Sequence, residues 1–329
     1  MLLRREFLMT AAVLARAAPT RKPNLVFMLA RQWQAASLPP NLARLARQGI
    51  QFERCYTACP SSGPAQAALI SGRFPHACGV TRDNVRLPPD QPSIAEQLNQ
   101  AGYKSAFIGD WFSDGAAQPD LAIDLLKQNK QGPSCLMLAL GAPLDANVGR
   151  IMRVLDEPHL AEDTIVVFTS CHGEMLGEPV EKSVRVPLLI RYPRLLPASR
   201  KNDFLMSSVD VMPTLLGLCG ADIPDAVQGQ DLSALIASGK GSRPESIYSE
   251  GKLGEPGEWR MVVRGLDKLV VDRDLNVTHL YNLGADPSEM ENLARDPAQE
   301  LRRDEMSALL KDWMRRTGDR MDPSGLKKR

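Results

Sequence analysis

The sequence predicts an α/β fold: a mostly parallel central sheet with helices on both faces, plus a small antiparallel C-terminal subdomain. Three observations lead to this prediction. Short continuous apolar runs recur over the first 240 residues, amphipathic stretches lie between them, and paired β-rich runs follow after about residue 240. Strands that alternate with helices are typical of a parallel sheet, whereas two β-rich runs around a short turn indicate an antiparallel hairpin.

Five apolar runs predict strands of the central sheet. A strand covered by helices on both faces is apolar throughout rather than alternating. These runs are residues 24–29, 105–109, 134–140, 164–169 and 186–190. Helices are predicted between them at residues 40–49, 93–98 and 146–155, and glycines follow or close the first two, as is common at helix ends.

The segment after about residue 240 predicts a separate subdomain. Residues 260–263 and 268–271 are β-rich and flank a turn, residues 279–283 offer a further strand, and residues 297–316 form a charged helix. We therefore predict an α/β domain over residues 21–240 and an antiparallel subdomain with a closing helix over residues 241–329.

The composition excludes several classes of protein. Hydrophobic residues make up 43% and charged residues 24% of the chain, which is ordinary for a globular protein and unlike a disordered or collagen-like one. With 40 Lys and Arg against 39 Asp and Glu, no global positive field favours a nucleic-acid partner. No apolar run reaches the roughly 18–20 residues needed to span a membrane.

The first 20 residues predict a signal for export. Residues 4–8 match a twin-arginine pattern, and residues 15–17 fit a small-x-small cleavage site after a short apolar stretch. This pattern predicts a periplasmic or secreted protein; the alternative is a basic N-terminus without a targeting role. Six cysteines could oxidise after export, but Cys135 and Cys219 belong to apolar runs, so we expect buried free thiols.

Polar residues follow three of the predicted strands, at the sheet edge where open α/β folds place their chemistry. The three segments are residues 30–32, 109–112 and 170–174. A fourth candidate is a helix opening near Ser62, because Pro64 suits the first turn of a helix. Free backbone N–H groups and the positive end of the helix dipole would favour an anionic group there.

Seven segments, in the same order, resemble the sulfatase family of the alkaline-phosphatase-like superfamily. Residues 67–76 are similar to the family signature L-x-T/S-G-R-x-P-H, residues 166–173 to its F-T-S-D-H-G segment, and residues 280–294 to its L-Y-D-L-x-x-D-P-x-E-x-x-N-L-A block. The other segments, which resemble its first strand, first helix and two later blocks, are residues 23–30, 40–52, 185–188 and 209–216. The resemblance covers nearly all of the chain after the N-terminal segment.

The resemblance implies a sulfuric ester hydrolase that acts on a small-molecule or polysaccharide sulfate ester. In the family, a cysteine or serine in C/S-x-P-x-R becomes formylglycine, whose hydrate attacks sulfur. A divalent cation, usually Ca²⁺, holds the sulfate oxygens. Its ligands are two Asp after the first strand, and Asp with Asn or His after a later strand.

The nucleophile motif departs from the family pattern. Ser62 stands at the nucleophile position, and Gln66 replaces the arginine of the motif, which predicts impaired modification and a poorly stabilised aldehyde hydrate. The family resemblance makes Ser62, Gln66, Arg73 and Asp110 the candidate catalytic residues. Alternatively, the Ser62 hydroxyl caps its helix and Arg73 has a structural role.

The cation site departs further. Arg31 and Gln32 stand where the family has Asp-Asp, and Cys171 and His172 stand where it has Asp-His. Only Gln32 and His172 could still ligate a metal, and histidine prefers softer metals than Ca²⁺, so we expect weak or absent calcium binding. Arg31 would bring a fixed charge to the cation's place, and we hypothesise that it pairs with Asp110. His172 could instead be a buried, hydrogen-bonded relic.

Three functions remain as hypotheses. The first is a sulfatase-family protein with impaired or lost activity, in which the middle segment is shortened to residues 141–144. The second is a non-catalytic module that binds sulfated or phosphorylated ligands in the old cleft. The third is a hydrolase in which unmodified Ser62 is the nucleophile, which would require a metal or a strong oxyanion site.

Overall fold

The computed structural model describes residues 21–34, 38–109, 111–112, 119–128 and 132–321. The predicted export signal and the candidate residue Asp110 lie outside the described residues. The helices are α1 (Pro40–Gln48), α2 (Ser62–Ser71), α3 (Pro75–Cys78), α4 (Ile94–Gln100), α5 (Asp120–Gln128), α6 (Leu144–Val154), α7 (Pro158–Ala161), α8 (Glu181–Val184), α9 (Val211–Cys219), α10 (Ser233–Ser238) and α11 (Glu300–Thr317).

The central sheet has the strand order β3-β4-β1-β5-β6-β2-β7, with β8 paired to β2. Its strands are β1 (Asn24–Gln32), β2 (Ile50–Tyr56), β3 (Lys104–Ile108), β4 (Ser134–Leu140), β5 (Thr164–His172), β6 (Arg185–Arg191), β7 (Arg200–Asn202) and β8 (Met206–Ser207). All neighbouring pairs are parallel except that β6 runs antiparallel to β5 and to β2. The predicted mostly parallel sheet is therefore confirmed.

Helices cover both faces of this sheet, as predicted. Leu25 and Phe27 of β1 belong to a core that also contains residues of α2, α4, α9 and α10. Val26 and Met28 point to the other face, into a core shared with α1, α5, α6 and α7. Because successive side chains of a strand alternate between faces, the continuous apolar run of β1 supplies both cores.

The predicted antiparallel sheet is also present. It is built from β9 (Ser246–Gly251), β10 (Trp259–Arg264), β11 (Asp267–Asp272) and β12 (Val277–Asn282), in the order β12-β11-β10-β9. The predicted hairpin is the antiparallel pair β10–β11, and α11 packs its buried Met306, Leu310 and Met314 on this sheet. The boundary at residue 240 stays a prediction.

Buried charges attach the antiparallel sheet to the rest of the chain. Lys268 of β11 is 0% exposed, and its Nζ lies 2.5 Å from Glu289 Oε1 and 3.3 Å from Glu181 Oε1. Glu181 begins α8 and also accepts a hydrogen bond from the Tyr56 hydroxyl of β2 at 3.1 Å. A lysine in a strand is thus buried because carboxylates from other segments converge on it.

The six cysteines are free and buried, as the sequence predicts. Burial raises the pKa of each thiol above 9.0, so these side chains are protonated at neutral pH. Among the described helices, none has both the length and the apolar character that crossing a bilayer requires.

Candidate functional site

The candidate site lies where β1, β5 and the start of α2 meet. Gln32 and His172, the last residues of β1 and β5, are opposite each other in the parallel register. Helix α2 begins at Ser62, as predicted, and Ser62 Oγ lies 3.5 Å from His172 Nε2. Two of the three predicted strand ends and the predicted nucleophile position therefore converge.

The start of α2 is capped by a residue that the sequence reasoning missed. Asp83 Oδ1 accepts a hydrogen bond from the Gly63 backbone N–H at 2.6 Å and another from the Ser61 hydroxyl at 3.0 Å. The N-cap position belongs to Ser61, so the alternative reading of Ser62 as the capping residue is wrong. The hydroxyl of Ser62 instead faces His172.

His172 is held in a single orientation. Its ring is buried, and Nδ1 lies 2.8 Å from the Gly173 carbonyl oxygen. A carbonyl oxygen can only accept, so we assign the proton to Nδ1, which leaves Nε2 as an acceptor facing Ser62. Burial and the positive charge of Arg31 lower the pKa of His172, against the opposing effects of the Gly173 carbonyl and Asp83. The imidazole is therefore neutral at pH 7.

Gln66 and Cys171 form the inner wall of the site. Both are 0% exposed, and Gln66 Oε1 accepts a hydrogen bond from the Phe112 backbone N–H at 2.6 Å. Burial raises the pKa of Cys171 to about 12, although the Gln66 side chain and Arg31 act in the opposite direction. Where the family motif has a guanidinium and a carboxylate, this chain thus presents a neutral amide and a neutral thiol.

The residues at the four cation positions do not fit Ca²⁺. This ion takes six to eight oxygen ligands, several of them carboxylates. Gln32 offers one amide oxygen, while its Nε2 donates to the Glu174 carbonyl oxygen at 3.1 Å. Cys171 is a buried neutral thiol, His172 presents a nitrogen, and Arg31 brings a positive charge. This donor set lacks the hard, anionic character that calcium requires.

A further candidate residue, Arg73, does not lie beside Ser62. Arg73 follows the far end of α2, a helix of 10 residues and about 15 Å, and its Nη1 donates to Gln91 Oε1 at 2.7 Å. Asp110 lies outside the described residues, so the Arg31–Asp110 pair stays a prediction. The shortened middle is visible as the direct passage from β4 to α6 through residues 141–143.

A second cluster of ligand-type side chains consists of other residues. His76, Glu250 and Asp319 could together hold a metal ion by geometry, but Arg260 already supplies the positive charge. Arg260 Nε lies 2.5 Å from Asp319 Oδ2, and Arg260 Nη2 lies 3.0 Å from Glu258 Oε1. His76 Nδ1 lies 2.7 Å from Glu250 Oε2. The cluster is a network of buried ion pairs that joins α3 to the antiparallel sheet.

Comparison with solved structures shows the same fold. A protein solved in complex with its substrate D-glucosamine-2-N,6-O-disulfate superposes with a TM-score of 0.84 at 19% identity, covering 92% of this chain and 99% of the other. A putative sulfatase from Bacteroides fragilis gives a TM-score of 0.82 at 21% identity, covering 93% and 98%.

Sequence comparisons point to the same family. An ulvan-active sulfatase of Formosa agariphila is 24% identical over 421 aligned positions, covering 91% of this chain and 82% of the relative. An N-acetylglucosamine-6-O-sulfatase of Bacteroides thetaiotaomicron is 20% identical, covering 91% and 88%. The family model for sulfatases matches residues 33–134 and 136–221, and the model for the C-terminal region of N-sulphoglucosamine sulphohydrolase matches residues 179–316. This chain belongs to the sulfatase family.

Proposed function

We propose that this sulfatase-family protein does not hydrolyse sulfate esters by the formylglycine and calcium chemistry of its family. The observation that carries the proposal is the neutral inner wall of the site. Gln66 and Cys171 are fully buried and uncharged where the family motifs have arginine and aspartate. A transferring sulfuryl group needs preorganised positive charge around its oxygens, and a dication needs carboxylates to hold it.

The test is an activity assay combined with analysis of Ser62. Purified protein is incubated with p-nitrophenyl sulfate with and without added Ca²⁺, and the peptide spanning Ser62 is analysed by mass spectrometry. We expect no turnover above that of a Ser62→Ala variant and an intact serine. Calcium-dependent turnover together with loss of two hydrogens from Ser62, the mark of formylglycine, would contradict the proposal.

A second candidate function is hydrolysis by unmodified Ser62. It is favoured by the 3.5 Å contact between Ser62 Oγ and His172 Nε2 and by the Gly173 carbonyl that orients the imidazole. In the first step, Ser62 Oγ bonds to the acyl or phosphoryl centre, the bond to the leaving alkoxide breaks, and His172 passes the Ser62 proton to that alkoxide. In the second step, water gives a proton to His172 and attacks the same centre, the bond to Ser62 Oγ breaks, and His172 returns the proton to Ser62. Labelling with a fluorophosphonate, with Ser61→Ala as the matched control and Ser62→Ala as the negative, tests this function. Absence of Ser62-dependent labelling would exclude it.

Binding without catalysis is the remaining alternative. Relatives of this chain include an ulvan-active sulfatase and an N-acetylglucosamine-6-O-sulfatase, so sulfated carbohydrates are the ligands to test. Titration of the protein with sulfated and desulfated forms of the same oligosaccharide separates recognition of the sulfate group from recognition of the sugar. Equal affinity for the two forms would argue against a sulfate-binding role.

We also propose export through the twin-arginine pattern at residues 4–8. Expression of the full chain in a bacterial host, followed by fractionation and N-terminal sequencing, tests this proposal. A periplasmic product that begins after residue 17 is expected. Replacement of Arg4 and Arg5 by lysine should retain the protein in the cytoplasm.

A further inference from the structure

We propose that Asp83 is a built-in anion that occupies the start of helix α2 and excludes sulfate groups from Ser62. The inference rests on the proposed function, because it takes the start of α2 to be the former place of the substrate's sulfate. It adds a specificity-determining residue that lies outside the family motifs described above.

The contacts of Asp83 enclose the nucleophile position. One carboxylate oxygen, Oδ1, accepts hydrogen bonds from the Ser61 hydroxyl at 3.0 Å and from the Gly63 N–H at 2.6 Å, on the two sides of Ser62. The N–H groups and positive dipole at the start of a helix are the features that bind sulfate or carboxylate. In this protein, the Asp83 carboxylate already accepts the hydrogen bond that such an anion would accept.

Gly63 is the residue that lets the Asp83 segment approach. A Cβ at position 63 would lie 2.9 Å from the Arg82 carbonyl oxygen and 3.0 Å from Asp83 Cα. Any other residue would therefore push the backbone of residues 82–83 away from the helix. The contact depends on two positions, Gly63 and Asp83, that are 20 residues apart.

The helix start retains a further donor. Gln66 lies one turn after Ser62 on the same helical face, since residues four apart are neighbours. Its side chain is 0% exposed and interacts with the Cys171 thiol, whose pKa it lowers. Sulfur is a weak acceptor, and Gln66 Nε2 makes no hydrogen bond to a described nitrogen or oxygen atom, so the amide is a weakly bonded donor one turn after Ser62.

Electrostatics make the exclusion selective for anions. A sulfate group placed at Ser62 would bring a second negative charge beside Asp83 and would compete for the Gly63 N–H. Asp83 itself is exposed to solvent, so its replacement opens no cavity in the core. The exclusion can therefore be removed without disturbing the fold.

Binding of inorganic sulfate to the intact protein tests the inference. Thermal unfolding and calorimetry are recorded with sodium sulfate, against sodium chloride at equal ionic strength, for the wild type, Asp83→Asn and Asp83→Ala. We expect Asp83→Ala to bind sulfate about tenfold more tightly than the wild type, with Asp83→Asn between them, since a competing charge and a cap have been removed. Asp90→Asn, at another exposed aspartate of the same loop, is the matched control and should behave as the wild type.

A second variant keeps Asp83 and moves its backbone. Gly63→Ala should also increase sulfate affinity, because the added Cβ displaces residues 82–83. Equal sulfate binding by wild type and Asp83→Ala, or an equal gain in Asp90→Asn, would overturn the inference. Turnover of p-nitrophenyl sulfate by the wild type would contradict the proposed function instead, so the two failures are distinguishable.

Discussion

The candidate site differs from the junction between the antiparallel sheet and the rest of the chain in the charge of its buried side chains. At the site, Gln66 and Cys171 are neutral, and His172 has a pKa lowered first of all by burial. At the junction, Arg260 and Lys268 are 2% and 0% exposed and each contacts two or more carboxylates. The comparison teaches that buried charges hold the scaffold together, whereas the inner wall of the candidate site is made of neutral side chains.

The largest effect is expected at Arg260. Arg260→Met removes the buried cation that pairs with Asp319, and breaking a buried ion pair from one side costs about 3–5 kcal/mol. Urea unfolding should show this loss in the free energy of unfolding. The exposed pair Arg243–Asp203 is the matched control, and Arg243→Met should cost less than about 1 kcal/mol. Similar losses in the two variants would contradict the contrast between buried and exposed charges.

Lys268 should show a slightly smaller loss. Lys268→Met removes the partner of Glu181 and Glu289, and we expect a loss of about 3 kcal/mol in the free energy of unfolding. Lys201→Met is the control, because the Lys201–Glu53 pair lies at the surface. If the stability of Lys268→Met equals that of the wild type, this ion pair does not hold the junction.

The two regions should respond to pH with opposite signs. Burial lowers the pKa of His76, but the hydrogen bond and charge of Glu250 prevail and raise it above 6.5. Its contribution to stability is therefore complete below pH 6.5 and lost as pH rises through the folded-state pKa. For His172, whose pKa lies below 6.5, the contribution is complete above pH 6.5 and lost as pH falls.

The measurement is the free energy of unfolding between about pH 5 and pH 8 for wild type, His76→Gln and His172→Gln. Each difference from the wild type should change with pH, with opposite slopes for the two variants. Titration of the histidine ring protons by NMR gives the same pKa values directly. Parallel slopes would show that the two histidines do not differ in environment.

The smallest effect is expected at Asp83. Asp83→Ala removes the carboxylate that caps α2, and the loss of such a cap costs about 1 kcal/mol, or less at an exposed position. Asp90→Ala should have no measurable effect. A gain in stability on replacing Asp83 would show that its carboxylate does not favour the helix start.

The main elements of the fold could be predicted because the spacing of apolar residues differs between buried strands, paired strands and helices. The continuous run of β1 and the paired runs of β10 and β11 each indicate the correct class of strand. The direction of β6 could not be predicted, since a run of Val, Pro, Leu and Ile is the same in a parallel and an antiparallel strand.

The candidate site was only partly predictable. The strand ends at Gln32 and His172 and the helix start at Ser62 follow from the topology of open α/β sheets. Asp83 could not be predicted as a cap because the helix that it caps begins 21 residues earlier. Sequence preferences for helix capping concern residues adjacent to the start of the helix. The polar residues 81–84, which follow Gly79 closely, indicate a turn. They do not indicate that this turn contacts the start of α2.

Isothermal titration of Ca²⁺ into the purified wild-type protein tests the central claim most directly. The claim is that residues 31, 32, 171 and 172 no longer form a calcium site. We predict no saturable binding heat at millimolar Ca²⁺ and no rise in the unfolding temperature. Saturable binding of one Ca²⁺ per chain, weakened by Gln32→Ala, would contradict the account.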